Sequence, residues 1–345
     1  MKILHLLQTN HFSGAENVAC QIIDMMSAYP QYEMVYCSPD GQIRKALQDR
    51  CVTFVPIENW SVAGLREIIR EERPDVIHAH DRGATFLAAL ACGRIPLISH
   101  FHNNAVDSRK VNARSIGYYL AALKARHIFW VSQSAFEGYR FHKLLRHKST
   151  VLYNIINLDA VYRRMAQDSA AYSYDIVYLG RMSYQKNPQR LMRVLAKIAE
   201  QKPDLKAAVV GNGELEAVTK AECKRLGIEE NVAFLGFCGN PLKLLHDAKL
   251  MLMVSRFEGT PMCALEAMAL GVPIVSTPTD GLCELVVDGQ TGYLHTDDDV
   301  LAESCLKILS SEELYKAMSE ASLERSRDMN DAQSYCETLN GAYQK

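Results

Sequence analysis

Ser255-Arg256-Phe257-Glu258-Gly259-Thr260-Pro261-Met262-Cys263-Ala264-Leu265-Glu266-Ala267-Met268-Ala269-Leu270-Gly271-Val272-Pro273 follows directly on the apolar run Leu250–Val254. A short continuous apolar run reads as a strand covered on both faces. Gly259 sits in the turn that follows, and Pro261 suits the first position of a helix, where its missing N–H costs nothing. The amides from Thr260 to Ala264 would then point outward from a helix start, a seat for phosphate. Glu266 stands out, because its sequence neighbours from Cys263 to Leu270 are all apolar. Burying a lone carboxylate is costly unless hydrogen bonds or a counter-charge satisfy it. Two hydroxyls of a bound ribose would do so, and Glu258 in the turn could reach a second polyol. The plainer alternative makes Glu266 half of a buried ion pair and Glu258 a solvated turn residue.

The same order of strand, turn and helix extends in both directions. Ile3–Leu7, Met34–Cys37, Thr53–Val55, Val76–Ala79, Leu97–Ser99, Ile128–Val131 and Val151–Tyr153 read as strands, with amphipathic stretches between them. After the polar stretch Asn157–Tyr174 the order restarts with Ile176–Leu179, Ala207–Val210, Val232–Leu235, Leu250–Val254 and Ile274–Thr277. This predicts two doubly wound α/β units in tandem, residues 1–165 and 166–325, with a charged helix over 326–345 packing back across the junction. Up to residue 165 the chain holds 20 Lys and Arg against 14 Asp and Glu; beyond it, 18 against 26. The near-neutral total argues against nucleic acid as a partner. Ten scattered cysteines without a Cys-x-x-Cys argue against a zinc ribbon and for a reducing compartment. Nothing reads as a signal peptide or membrane span, so a cytoplasmic protein is expected.

In doubly wound sheets ligands bind beyond the carboxyl ends of the strands. Tyr178-Leu179-Gly180-Arg181-Met182-Ser183-Tyr184-Gln185-Lys186-Asn187-Pro188 puts two cations in such a loop, just before a helix. A guanidinium fork and a mobile ammonium suit a diphosphate, although solvated loop cations are common. Gly211 and Gly213 follow another strand, and Phe237 follows a third. Arg256 reads as an ion-pair partner for Glu258. Asp297-Asp298-Asp299 has the spacing of a metal-binding Asp-x-Asp, but a helix start explains it as well. His78-x-His80 and His100-x-His102 each share one strand face; with no carboxylate or cysteine cluster beside them, no metal site is expected.

The segment from Ser255 to Pro273 resembles the signature of the retaining glycosyltransferases of family 4, in which two glutamates are separated by seven residues, and the resemblance covers most of the chain. It implies the GT-B architecture, two Rossmann-like domains facing across a cleft. It also implies that Glu266 binds the ribose of a nucleotide sugar, Glu258 the sugar, and Arg181 and Lys186 the diphosphate. Gly259, Thr260, Pro261, Met262, Cys263 and Ala264 would line the donor site, with Gly211, Gly213 and Phe237 near base and phosphates. Phe12-Ser13-Gly14-Ala15-Glu16 resembles the family's Gly-Gly-Ala-Glu loop over the donor phosphates, with Ser13 in place of the first glycine and Gly14 kept. His102 corresponds to the histidine beside the donor sugar. The implied reaction is metal-independent hexosyl transfer with retention, the donor being a UDP-sugar by frequency within the family, and no cofactor is expected.

Arg109–Lys148 carries nine basic residues against Glu137 alone, with Ile116, Tyr119, Leu120 and Leu123 at helical spacing. This stripe either lies on an anionic membrane or faces the protein core. The first choice would suit a lipid-linked glycan acceptor in capsule or exopolysaccharide assembly. A nucleotide-sugar 2-epimerase, or a non-catalytic nucleotide-sugar-binding protein, would use the same scaffold.

Overall fold

The computed structural model describes residues 1–102 and 106–344. Two compact units emerge, Met1–Ile155 with Asp331–Lys345, and Ile156–Asn330. The division falls at Ile155 rather than at residue 165, because the helix Leu158–Ala166 packs with the second unit.

In the first unit, seven strands form one parallel sheet: β1 (Lys2–Leu6), β2 (Glu33–Ser38), β3 (Phe54–Pro56), β4 (Val76–His80), β5 (Leu97–Phe101), β6 (His127–Trp130) and β7 (Ser149–Val151). Their order is β3-β2-β1-β4-β5-β6-β7. The central strands β1, β4 and β5 are buried on both faces apart from Lys2 at the start of β1, and they enclose His5, His78, His80 and His100 among their apolar residues. The C-terminal helix Ala332–Gln344 belongs to this unit and lies against the helix Gly14–Met26. Arg126 ties it down by donating to the Ala342 carbonyl at 2.7 Å.

In the second unit, β8 (Ile176–Leu179), β9 (Ala207–Val210), β10 (Val232–Gly236), β11 (Leu250–Met253), β12 (Ile274–Ser276) and β13 (Gly292–Leu294) form a parallel sheet in the order β10-β9-β8-β11-β12-β13. Its core joins Ile176, Leu191, Leu195, Leu250 and Leu252 to Leu301 and Ile308. Among the described residues, no helix is long and apolar enough to cross a membrane.

Candidate functional site

Beyond β11, the chain turns through Ser255–Pro261 into the helix Met262–Ala269. Pro261 is the residue before the first helical turn rather than within it, and its carbonyl accepts from Ala264 N at 3.0 Å. The Ala264 amide is therefore used internally, which corrects the expectation that every amide from Thr260 to Ala264 points outward. By the geometry of helix starts, the Met262 and Cys263 amides remain for a ligand. Gly281, opening the helix Asp280–Leu285, presses on this turn: a Cβ there would stand 1.2 Å from the Gly259 carbonyl oxygen.

Glu258 is buried, and three side chains converge on its carboxylate. Lys186 Nζ donates to Oε1 at 2.7 Å, Ser255 Oγ donates to Oε1 at 2.6 Å, and Gln185 Nε2 donates to Oε2 at 3.3 Å. Lys186 comes from the loop after β8, where Asn187 adopts a left-handed conformation, φ 54°, before Pro188 starts the next helix. Burial pulls the Lys186 ammonium down in pKa, but the Glu258 carboxylate outweighs it and leaves the group raised. Arg256 does not pair with Glu258 as its position suggested. It lies over the Tyr184 ring at 4.5 Å and donates to Asn187 Oδ1 at 3.0 Å, which holds the cation loop in shape.

Glu266 is half-buried on the helix, not enclosed on all sides, and has partners of its own. Lys186, Glu258 and Glu266 all act on one point. The Cys263 thiol, pushed up to about 11 chiefly by burial, feels the lowering field of Lys186 and the raising fields of both glutamates. Arg181 shares the loop of Lys186, with its side chain exposed and its carbonyl accepting from Tyr178 OH at 3.1 Å. Gly211 has φ +126°, and a Cβ on it would stand 2.1 Å from the Gly180 carbonyl oxygen, so this glycine lets two strand-end loops touch. Gly213 likewise approaches the Met182 carbonyl, and Phe237 is exposed in the loop after β10. Asp297 caps the helix Asp298–Ser310 by accepting from Asp299 N at 2.8 Å, while Asp298 pairs with Arg190 at 2.6 Å and Asp299 pairs with Lys197. The Asp-x-Asp run is a helix start.

In the first unit, Ser13 precedes the helix Gly14–Met26, and the Glu16 carboxylate accepts from the Ser13 backbone N–H at 3.1 Å and from the Ser13 and Thr9 hydroxyls. Serine replaces glycine here by joining this cap, and a Cβ on Gly14 would meet nothing within 4 Å.

His102 lies at the end of a buried group with His5, His78, His80 and His100. Two trios in this group bring ring nitrogens within 4.8 Å, close enough to raise the question of a metal. Two of the contacts have the geometry of hydrogen bonds. His5 Nδ1 lies 3.0 Å from His80 Nε2, and His80 Nδ1 lies 2.8 Å from His102 Nε2. The corresponding ring centres stand 5.3 and 5.0 Å apart, farther than the nitrogens by about one ring width. Both contacts therefore run along the line of ring centres, as shared protons do, whereas two ligands of one ion converge at an angle. Burial holds His5 and His102 down to about 3, so each imidazole is neutral and carries one N–H. Two such bonds in series force one tautomer on His5, His80 and His102 together. In 15N-histidine spectra at pH 7.5 these three are expected to share a single tautomer, all Nδ1–H or all Nε2–H; a mixed set would contradict the chain.

Two parallel-sheet Rossmann-like units in one chain make the GT-B class of fold. The model for glycosyl transferases group 1 matches residues 165–325, and that for glycosyltransferase family 4 matches residues 13–160. An uncharacterised glycosyltransferase of Methanocaldococcus jannaschii is 30% identical over 299 residues, 79% of this chain and 75% of that one. The chain therefore belongs to the glycosyltransferase family and is a hexosyltransferase. A further relative, 33% identical over 148 residues (43% of this chain, 40% of its own), is the N-acetylgalactosamine-N,N'-diacetylbacillosaminyl-diphospho-undecaprenol 4-alpha-N-acetylgalactosaminyltransferase of Campylobacter jejuni. In fold, the chain superposes on Anabaena HepE in complex with UDP-glucose with a TM-score of 0.82, at 22% identity, covering 99% of this chain and 100% of that one.

Proposed function

We propose that the enzyme transfers a hexosyl group from a UDP-sugar, with retention and without a metal ion, to a lipid-linked glycan in surface polysaccharide assembly at the inner face of the cell membrane. The observation that carries this reading is the buried Lys186–Glu258 pair, 2.7 Å apart beside the start of the Met262–Ala269 helix. Lys186, Arg181 and the Met262 and Cys263 amides gather positive potential where a departing diphosphate develops charge. Glu258 then accepts hydroxyls of the donor sugar, and Glu266 those of the ribose. By resemblance, His102 hydrogen-bonds a donor hydroxyl and Gly14 closes over the phosphates. By resemblance, too, the leaving phosphate takes the acceptor's proton on the face it departs from. UDP as donor nucleotide is supported by the HepE complex, and the lipid-linked acceptor by the undecaprenol relative.

Thermal-shift titration with UDP, GDP and ADP tests the donor. At a hundred times its dissociation constant the bound nucleotide is expected to add about 2.7 kcal/mol of stability. UDP should shift the melting of the protein and GDP should not; the reverse ranking would overturn the assignment.

A further inference from the structure

The helix Ala113–Lys124 turns Ser115, Tyr118, Ala121 and Ala122 to the core. Ile116, Leu120 and Leu123, four and three positions apart, face solvent instead, so the stripe is not core-facing. Its flank continues the pattern. Phe86 of the helix Asp81–Ala91 lies against Gly117, where a Cβ would meet the Phe86 ring at 3.8 Å, and Leu90 follows one turn later. On the other flank Tyr119 packs on Phe141, and Leu144 beyond it is exposed. Phe86, Leu90, Ile116, Leu120, Leu123 and Leu144 are 41% to 59% exposed, whereas in the second unit the exposed large apolar side chains are dispersed over separate elements. A contiguous apolar patch on a folded surface marks a place of contact.

Charge selects the partner. Lys110, Arg114, Lys124, Lys143 and Arg146 are exposed around this face. From Arg82 to Lys148 the chain holds eleven Lys and Arg and only two acids, Asp107 and Glu137. Asp107 is already engaged by Arg82 at 3.0 Å and Arg114 at 3.3 Å. Two copies of this face brought together would set cation against cation, whereas an anionic lipid surface receives both the apolar ridge and its basic rim. We infer that the paired helices Asp81–Ala91 and Ala113–Lys124 dock the enzyme onto an anionic bilayer, with Leu120 and Leu123 entering the headgroup boundary. This deepens the proposed lipid-linked acceptor and rests on that reading for its purpose, but its test stands apart.

The full chain is floated with vesicles of phosphatidylglycerol and phosphatidylcholine, and with pure phosphatidylcholine. It is expected to rise with the anionic vesicles only, and less as salt is added. Leu120→Ser with Leu123→Ser should abolish flotation at every salt concentration. Lys124→Glu should weaken partition more than the roughly fivefold that one removed cation accounts for. All three side chains are exposed, and the fluorescence of Trp60 and Trp130 in the same unit reports whether each variant is folded. Wild-type protein left at the bottom with anionic vesicles overturns the inference, as do variants that float like wild type. A dimer seen by light scattering and dissolved by the double serine change would assign the face to a second copy and overturn it too. In each of these cases nucleotide binding is unaffected, whereas failure of the proposed donor chemistry leaves vesicle binding in place.

Discussion

Lys186→Met is expected to lower sugar transfer by about 10²–10³, the usual result of deleting one preorganised donor to a developing oxyanion. Its effect on stability separates this role from a merely structural one. Lys186 and Glu258 are nearly buried, with side-chain exposures of 15% and 5%. Removing one partner of a buried pair costs about 3–5 kcal/mol, because the other is left uncompensated. The two sides are unequal here. Without Lys186, Glu258 keeps the Ser255 hydroxyl and the Gln185 amide, so Lys186→Met should fall at the low end. Glu258→Leu leaves the ammonium without its counter-charge and should cost more. The double variant Lys186→Met/Glu258→Leu replaces the pair by apolar groups of similar size and should melt close to wild type. Its activity should stay at the level of the worse single variant. Calorimetry and a donor-turnover assay on the same four proteins check both halves, and wild-type turnover in Lys186→Met would end the assignment.

That pairing marks the limit of what the sequence showed. The two loops were legible because each follows an unbroken apolar run, and strand ends in doubly wound sheets are where ligands sit. Which cation meets Glu258 was not legible. Arg256 is two residues away, but its side chain is drawn to Tyr184 and Asn187, and the distant Lys186 takes its place. The edges of the sheets were harder to read than their centres. β7 occupies Ser149–Val151 rather than Val151–Tyr153, because a half-buried edge strand tolerates Ser149 and Thr150 and loses its apolar signal. Gly292–Leu294 was missed for the same reason: three residues, two of them only partly buried, form no run at all. The alternate-residue histidine pairs were visible, but their extension to His5 was not. It depends on β1 lying beside β4 and β4 beside β5, and strand order is a long-range property. Tyr343, which meets His78 Nδ1 at 2.9 Å, comes from the far end of the chain.

The buried histidines also make the first unit the acid-labile one. Burial holds His5 and His102 at about 3 and drives His78, His80 and His100 well below their ordinary value, with repulsion among neighbouring rings adding to the fall. Their unfolded pKa is about 6.5. Between roughly pH 3 and 6.5 the unfolded chain therefore binds more protons than the native one, and stability falls as the pH drops. Each such histidine forfeits about 1.4 kcal/mol per pH unit below 6.5. The five losses act in the same direction on one unit. Asp81 works in the opposite sense. Burial raises it to about 6, so acidification through that value favours the native state, but a single carboxyl offsets only about 1.4 kcal/mol at pH 5. Cooperative unfolding of the first unit is expected between pH 6 and pH 5. Both tryptophans, Trp60 and Trp130, lie in that unit, so their fluorescence reports it alone, and far-UV circular dichroism should retain the contribution of the second unit. Among the described residues, neither ring nitrogen of His100 has a hydrogen-bond partner. His100→Phe removes an unsatisfied polar group and a titrating one together, at similar volume, and should move the midpoint to lower pH. Tryptophan emission that stays native down to pH 4, or a His100→Phe midpoint shifted upward, would show that the rings escape to solvent before they charge.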